Sequence, residues 1–417
     1  MRLNRRELLT LGAGAAAGTL LPAADFQGAP APGALKSMTA DVKVVSHDEY
    51  LLRLEKARKL MARHNIGALL IEPGASLVYF TGVQWWRSER LTAAILPRDG
   101  DVAIVTPHFE EPSVRENLMV PAEIRVWNED ENPLETVAGI LRDRKLRDPV
   151  GIEETVRYFA IDGLMRVMPD VQIMSGAAVV RACRMVKSPT EIALMQRAAD
   201  VTLAAYRHTA PRIERGMTPA DIGALMEGAH QALGANHEFA LILLGEASAY
   251  PHGSGKPQTV RDGEVVLMDC GCSVQGYQSD ISRTFVFGDS NAEQRKVWKQ
   301  MREGQRIAFE TARVGVPAGA VDDAVRAQYE KWGYGPGYKL PGTSHRTGHG
   351  IGLDGHEPVN LVHGETTPLA PGMCFSNEPG IYLPGKFGIR LEDCFYMGEK
   401  EPVWFTRPPE SLENPFG

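Results

Sequence analysis

The feature that most constrains this chain is a carboxylate at the end of an apolar strand, faced by a second carboxylate across a predicted hairpin. Val265-Val-Leu-Met-Asp269-Cys-Gly271 reads as a buried strand that delivers Asp269. Gly276-Tyr-Gln-Ser-Asp280-Ile-Ser-Arg-Thr-Phe285 can pair with it and bring Asp280 alongside. A buried aspartate needs a partner, and two like charges side by side repel strongly unless a cation lies between them. Three later segments add residues of the same chemistry: His345-Arg-Thr-Gly-His349-Gly-Ile-Gly-Leu-Asp-Gly-His356-Glu357, Ser376-Asn-Glu378-Pro-Gly-Ile-Tyr382 and Gly388-Ile-Arg390-Leu-Glu392-Asp393. In the last of these, strand periodicity turns Arg390 and Glu392 to one face and Asp393 to the other.

Taken singly, each residue has a plainer reading. An aspartate at a strand end commonly caps a turn, a histidine commonly bonds within the core, and Glu392 beside Arg390 reads equally as an ion pair. Taken together, Asp269, Asp280, His349, Glu378 and Glu392 comprise four carboxylates and one imidazole. Their summed charge of −4 is what two divalent cations neutralise. A mixed oxygen and nitrogen shell suits Mn, Co, Zn or Fe better than Ca, and it lacks the thiolates of a structural zinc site.

The surrounding pattern supplies the scaffold. From Asp48 to about Val180 amphipathic and apolar segments alternate. Helical spacing covers Glu49–His64 and Pro133–Arg144, and short strand-like runs occur at Ile66–Ile71, Thr92–Leu96, Val102–Val105 and Val171–Met174. Arg184-Met-Val-Lys187 marks a boundary. Beyond it, Ser188-Pro-Thr-Glu191 and Thr218-Pro-Ala-Asp221 are start signals for two helices, each with proline at the first helical position. Strands broken by Gly and Pro follow, with further helices predicted over Ala292–Thr311 and Ala320–Trp332.

The five segments resemble those of the pita-bread metallopeptidases, the family of aminopeptidase P, prolidase, methionine aminopeptidase and creatinase. The N-terminal half, including Tyr79-Phe-Thr-Gly82, is similar to the smaller domain of the first, second and fourth of these. The resemblance spans about Asp48 to Met397. It implies an α/β (α+β) chain with a creatinase-like N-terminal domain over 48–183 and a pita-bread catalytic domain over 184–417. Carried over by position, Asp269 would bind one metal ion and His349 with Glu378 a second, with Asp280 and Glu392 bridging a pair that is Mn first among the four candidates. His252, His356, Glu378 and Arg390 would be catalytic. His252, His345, His356, Tyr382 and Trp86 would contact substrate, and Arg390 would orient Glu392 or Asp280. Glu378 would pass a proton to the departing proline nitrogen.

Methionine aminopeptidases lack the extra domain, and creatinase-like members lack the full ligand set. The resemblance therefore implies hydrolysis of the bond before proline, in peptides or in dipeptides, by a homodimer or larger homo-oligomer. It leaves open an aminopeptidase or a dipeptidase, and, on the same fold, a metal-dependent lyase or hydrolase of a small non-peptide substrate or a catalytically silent binding protein. Trp85-Trp86-Arg87 is read either as a specificity loop reaching a neighbouring subunit's site or as ordinary interface packing.

The N-terminal residues carry Arg5-Arg6, then a Gly/Ala/Leu stretch ending at Pro22-Ala-Ala24, the order of a twin-arginine export signal over 1–24, followed by a linker over 25–47. The expected location is periplasmic or secreted, with no membrane insertion once the signal is removed. Net charge is −7, and because residues 1–24 contribute +2 the remainder carries −9, with no basic stripe for nucleic acid. Five scattered cysteines argue against a disulfide framework, and Cys270-Gly-Cys272 reads as a pair of small buried side chains. Gly350-Ile-Gly-Leu-Asp-Gly355 fits a dinucleotide-binding spacing but sits in a histidine cluster without a strand before it and a helix after it.

Overall fold

The computed structural model describes residues 35–416. The segment read as an export signal and residues 25–34 of the linker lie outside the described residues. Residues 35–46 are not a free tether: Met38 N–H donates to the Leu233 carbonyl at 2.8 Å, and Arg197 pairs with Asp41 at 2.7 Å. Among the described residues no helix is long and apolar enough to cross a membrane.

The helix His47–Arg63 begins where Ser46 accepts from the Glu49 N–H, which satisfies a donor that the first helical turn leaves open. A mixed six-stranded sheet follows. Its strand order is Ala122–Trp127, Val102–Pro107, Ala93–Pro97, Ala68–Ile71, Val150–Ile152, Ile173–Ser175. The strands Ala68–Ile71, Ala93–Pro97 and Val102–Pro107 are buried at every position, which explains why they read as apolar runs without alternation. Helices Pro133–Asp143 and Tyr158–Val167 contribute to the core against one face.

In the second half, both expected start signals are complete capping boxes. Ser188 with Glu191 opens Pro189–Thr209, and Thr218 with Asp221 opens Pro219–Ala232. The strand Val265–Val274 runs between Asn236–Leu244 and Ile281–Val286, both antiparallel to it. A five-stranded sheet has the order Glu357–Leu361, Gly348–Gly350, Cys374–Phe375, Phe395–Met397, Pro402–Trp404. Helices Ala292–Thr311 and Ala318–Lys331 share a hydrophobic core with this second sheet.

One apolar core runs from Leu54, Met61 and Phe80 of the first half to Tyr206, Met268 and Ile281 of the second. Two buried charge networks cross the same seam. Arg53 donates to the Tyr277 hydroxyl at 2.9 Å and lies 3.3 Å from Glu191, with its guanidinium over the Tyr79 ring. Arg184 and Lys187 both bond Glu357, the neighbour of His356. Burial raises the Glu357 carboxyl, but these two cations outweigh it and hold it down at about 2. The seam thus fixes the loop that carries His356.

Candidate metal centre

The expected hairpin forms, with Ser282 opposite Asp269 on the central strand and Asp280 just before the paired strand begins. Asp269 Oδ1 lies 2.9 Å from the Ser282 hydroxyl, and Oδ2 accepts from Arg390 Nη2 at 2.6 Å. The same hydroxyl lies 2.9 Å from Glu392 Oε2 and accepts from Arg390 Nε at 3.0 Å. Arg390 therefore holds Asp269 directly and reaches Glu392 only through Ser282, and no bond to Asp280 forms. This corrects the expectation that it orients Glu392 or Asp280. The reason is packing: strand Phe387–Ile389 docks against the central strand, and the segment after it brings the guanidinium beside Asp269.

His349 enters from the second sheet. Gly348 before it allows the close approach this requires, because a side-chain carbon there would lie 2.1 Å from the Ser376 carbonyl. The sheet register shifts between His349 and Gly350, a bulge that re-aims the imidazole. The ring's Nδ1 lies 3.0 Å from the Gly350 carbonyl, so this nitrogen carries a proton and Nε2 is left to face a cation, or a proton where no cation is bound. Nε2 lies 3.2 Å from Glu378 Oε1, 3.7 Å from Asp280 Oδ2 and 3.9 Å from Glu392 Oε1. Asp280, His349 and Glu392 offer ligand atoms that all lie within 4.8 Å of one another.

Two observations show that these residues fit a metal ion. Asp280 Oδ1 and Glu392 Oε1 are buried and have no hydrogen-bond partner among the described residues, although buried carboxylate oxygens are almost always satisfied. Facing lone pairs on Nε2 and three carboxylates repel unless a cation or proton sits among them. The electrostatics agree. Burial, and then repulsion from Asp269 and Glu378, pushes the Asp280 carboxyl well above the usual range. Burial and then Asp280 do the same to Glu392. Glu378 moves the other way: burial raises it, but the bond to His349 and the charges of His349, His345 and Arg390 bring it well below its ordinary value.

The extended segment bearing Arg390 and Glu392, between strands Phe387–Ile389 and Phe395–Met397, is pinned from behind. Asp393 faces away from the site, as expected, and meets Arg283 at 2.7 Å, both fully buried. Arg283 also donates to the Glu392 carbonyl at 2.9 Å. Breaking a buried pair on one side leaves an uncompensated charge, so Arg283→Met is expected to cost about 3–5 kcal/mol in denaturant unfolding. A loss below about 1 kcal/mol would show that the pair does not hold this segment.

These side chains line a cavity of about 800 Å³ together with His252, His345, His356, Phe239, Glu238 and Arg346. His356 stands 4.0 Å from His349, ring to ring. Burial, with the neighbouring His349 and Arg346, lowers it to about 4. It is therefore neutral near pH 7 and retains an N–H to donate. His252 lies exposed at the rim, and the Pro251 carbonyl before it accepts from Arg390 at 3.1 Å. His345 has both ring nitrogens engaged, Nδ1 with the Arg346 carbonyl at 2.8 Å and Nε2 with the Tyr382 hydroxyl at 2.7 Å. Tyr382 is fully buried behind the cavity wall, where its hydroxyl also accepts from Arg390 at 3.2 Å. These two act on the site by holding neighbours. Trp86 stacks on Trp85 outside the cavity and is 68% exposed in the single chain.

Sequence reasoning missed Ser282, although its two-residue offset from Asp280 was a strand-face signal. It also missed Asp322, a buried helix residue that accepts from the N–H and hydroxyl of Thr347 at 3.0 and 2.7 Å and fixes the approach to His349. All five cysteines are free and buried, Cys270 and Cys272 included.

Residues 193–399 match the family described as metallopeptidase family M24, and residues 53–186 match the creatinase/prolidase N-terminal domain. A probable dipeptidase PepE of Mycobacterium tuberculosis is 32% identical over 369 residues, covering 87% of this chain and 96% of that protein. The Xaa-Pro dipeptidase of Lactobacillus helveticus is 30% identical and covers 87% and 98%. The crystal structure of dipeptidase PepE from Mycobacterium ulcerans superposes with a TM-score of 0.80 at 30% identity, over 88% of this chain and 98% of that one.

Proposed function

The chain belongs to metallopeptidase family M24, with the N-terminal domain of the creatinase and prolidase members, and from that premise we propose that it is an Xaa-Pro dipeptidase working with two divalent metal ions, Mn foremost. The observation that carries this reading is the convergence of Asp269, Asp280, His349, Glu378 and Glu392 on one cavity, with two buried carboxylate oxygens left unpartnered. Dipeptidase is preferred to aminopeptidase because both relatives are named as dipeptidases.

Asp269 and Asp280, His349, Glu378 and Glu392 would hold the ions. When bound, such ions supply a Lewis acid for the carbonyl oxygen and make water nucleophilic near neutral pH. The protein's own groups do the rest. Arg390 and Ser282 fix Asp269 and Glu392 in place. Neutral His356 donates an N–H toward the scissile bond, and His252 closes the rim. Glu378 takes the proton of the attacking water and returns it to the proline nitrogen, which leaves poorly unless protonated.

Export through the twin-arginine route and assembly into a homodimer or larger oligomer belong to the same proposal; they rest on the Arg5-Arg6 segment and on family resemblance. Purified protein should contain close to two equivalents of metal and cleave Xaa-Pro dipeptides at least about tenfold more efficiently than Xaa-Ala dipeptides or longer Xaa-Pro peptides. Cleavage of the longer peptides alone would make it an aminopeptidase. Metal content without any peptide cleavage would defeat the reading.

A further inference from the structure

Two guanidinium groups border the cavity, and they differ in kind. Arg390 is fully committed, to Asp269, Ser282, Tyr382 and the Pro251 carbonyl. Arg346 lines the same cavity and is half-buried, yet its guanidinium has no hydrogen bond, ion pair or aromatic partner among the described residues. Its backbone is held, because its carbonyl accepts from His345 and the following Thr347 is fastened to Asp322. The stem is thus fixed while the charged fork is left without a mate.

An arginine cannot shed its charge, and a partly desolvated guanidinium with no partner is unfavourable. The surrounding acids do not answer it. The metal-binding carboxylates are turned to one another and to His349, and Glu378 and Asp269 are bonded to their own donors. What the fork matches is a planar carboxylate, which it can grip with two parallel N–H donors. A dipeptide presents one such group, at its C-terminus, on the residue that leaves. A longer peptide carries an amide at that position instead.

We infer that Arg346 binds the C-terminal carboxylate of the substrate and so selects dipeptides over longer peptides. The inference deepens the dipeptidase reading and rests on it. Arg346 lines the same cavity of about 800 Å³ as His356 and the five metal-binding residues, so its fork and the reacting bond share one substrate-sized space.

The test compares alanyl-proline with alanyl-prolinamide, which differ only in that carboxylate. The metal-loaded enzyme should prefer the acid by about 10- to 100-fold in kcat/KM, the range of one charge-assisted bidentate contact. Arg346→Met should lose that preference through a higher KM for the acid, with kcat little changed and the amide within about twofold, and Arg346→Lys should restore part of it. Because the fork has no hydrogen bond or ion pair among the described residues, thermal midpoints should not move. Equal losses on acid and amide in Arg346→Met, or an acid preference that survives the substitution, would overturn the assignment. If wild-type enzyme cleaves both substrates equally well, this inference falls while bond specificity stands. If it cleaves no Xaa-Pro bond at all, the dipeptidase reading falls and takes the inference with it.

Discussion

Glu378→Gln is expected to lower kcat on an Xaa-Pro dipeptide by about 10²–10⁴-fold, with KM changed by little. The substitution keeps the size of the side chain and one oxygen toward His349, so coordination is largely preserved. It removes the ability to accept a proton and hand it on. The surroundings make this a sharp test. The Glu378 N–H donates to the Thr347 carbonyl at 2.9 Å, and the Ser376 hydroxyl donates to Oε1 at 3.2 Å. The backbone and one oxygen are thus held in place, and Oε2 is free for proton transfer. Metal analysis of the same variant separates the two ways it could fail. Full activity with metal bound would dismiss Glu378 as the proton carrier. Lost metal together with lost activity would show that it serves as a ligand first.

Asp269 and Asp280 were legible because a hairpin is a local object, and twelve residues of strand, turn and strand hold both. The opposite orientations of Glu392 and Asp393 followed from a period of two. The helices announced themselves through Ser188, Thr218 and their prolines. What no local pattern contained was pairing between elements that meet only when the chain folds. That Arg390 grips Asp269, that Arg184 and Lys187 neutralise Glu357, and that Asp322 anchors Thr347 from another helix all depend on how separate elements dock. The linker shows the same limit: its composition suggested a loose connection, yet Met38 and Asp41 bond to the second half. Local periodicity says which face a residue occupies, and only packing says what it meets there.

Stripping the metal should leave a protein whose stability falls as pH rises, the reverse of what ionised, well-paired carboxylates produce. Asp280 and Glu392 are raised well above their ordinary values near 4, Asp280 by burial and then by Asp269 and Glu378, Glu392 by burial and then by Asp280 and Glu378. Above about pH 4 the unfolded chain has released these protons while the folded metal-free chain still binds them, so the folded state holds more protons. Their contribution to stability is therefore present at low pH and is lost as pH climbs from there through the raised values. Bound cations replace those protons and remove the penalty. They also add stability by mass action, about 2.7 kcal/mol at a free concentration a hundred times Kd. Since metal must compete with protons for the same oxygens, its stabilising effect should grow with pH. Thermal melts with and without chelator should thus nearly coincide at about pH 5 and separate widely at about pH 8, with activity lost wherever metal is absent. Asp280→Asn removes one of the titrating charges and should flatten the pH dependence of the metal-free protein. Melting curves that stay parallel across this range, with and without chelator, would mean that these oxygens neither hold extra protons nor share a cation.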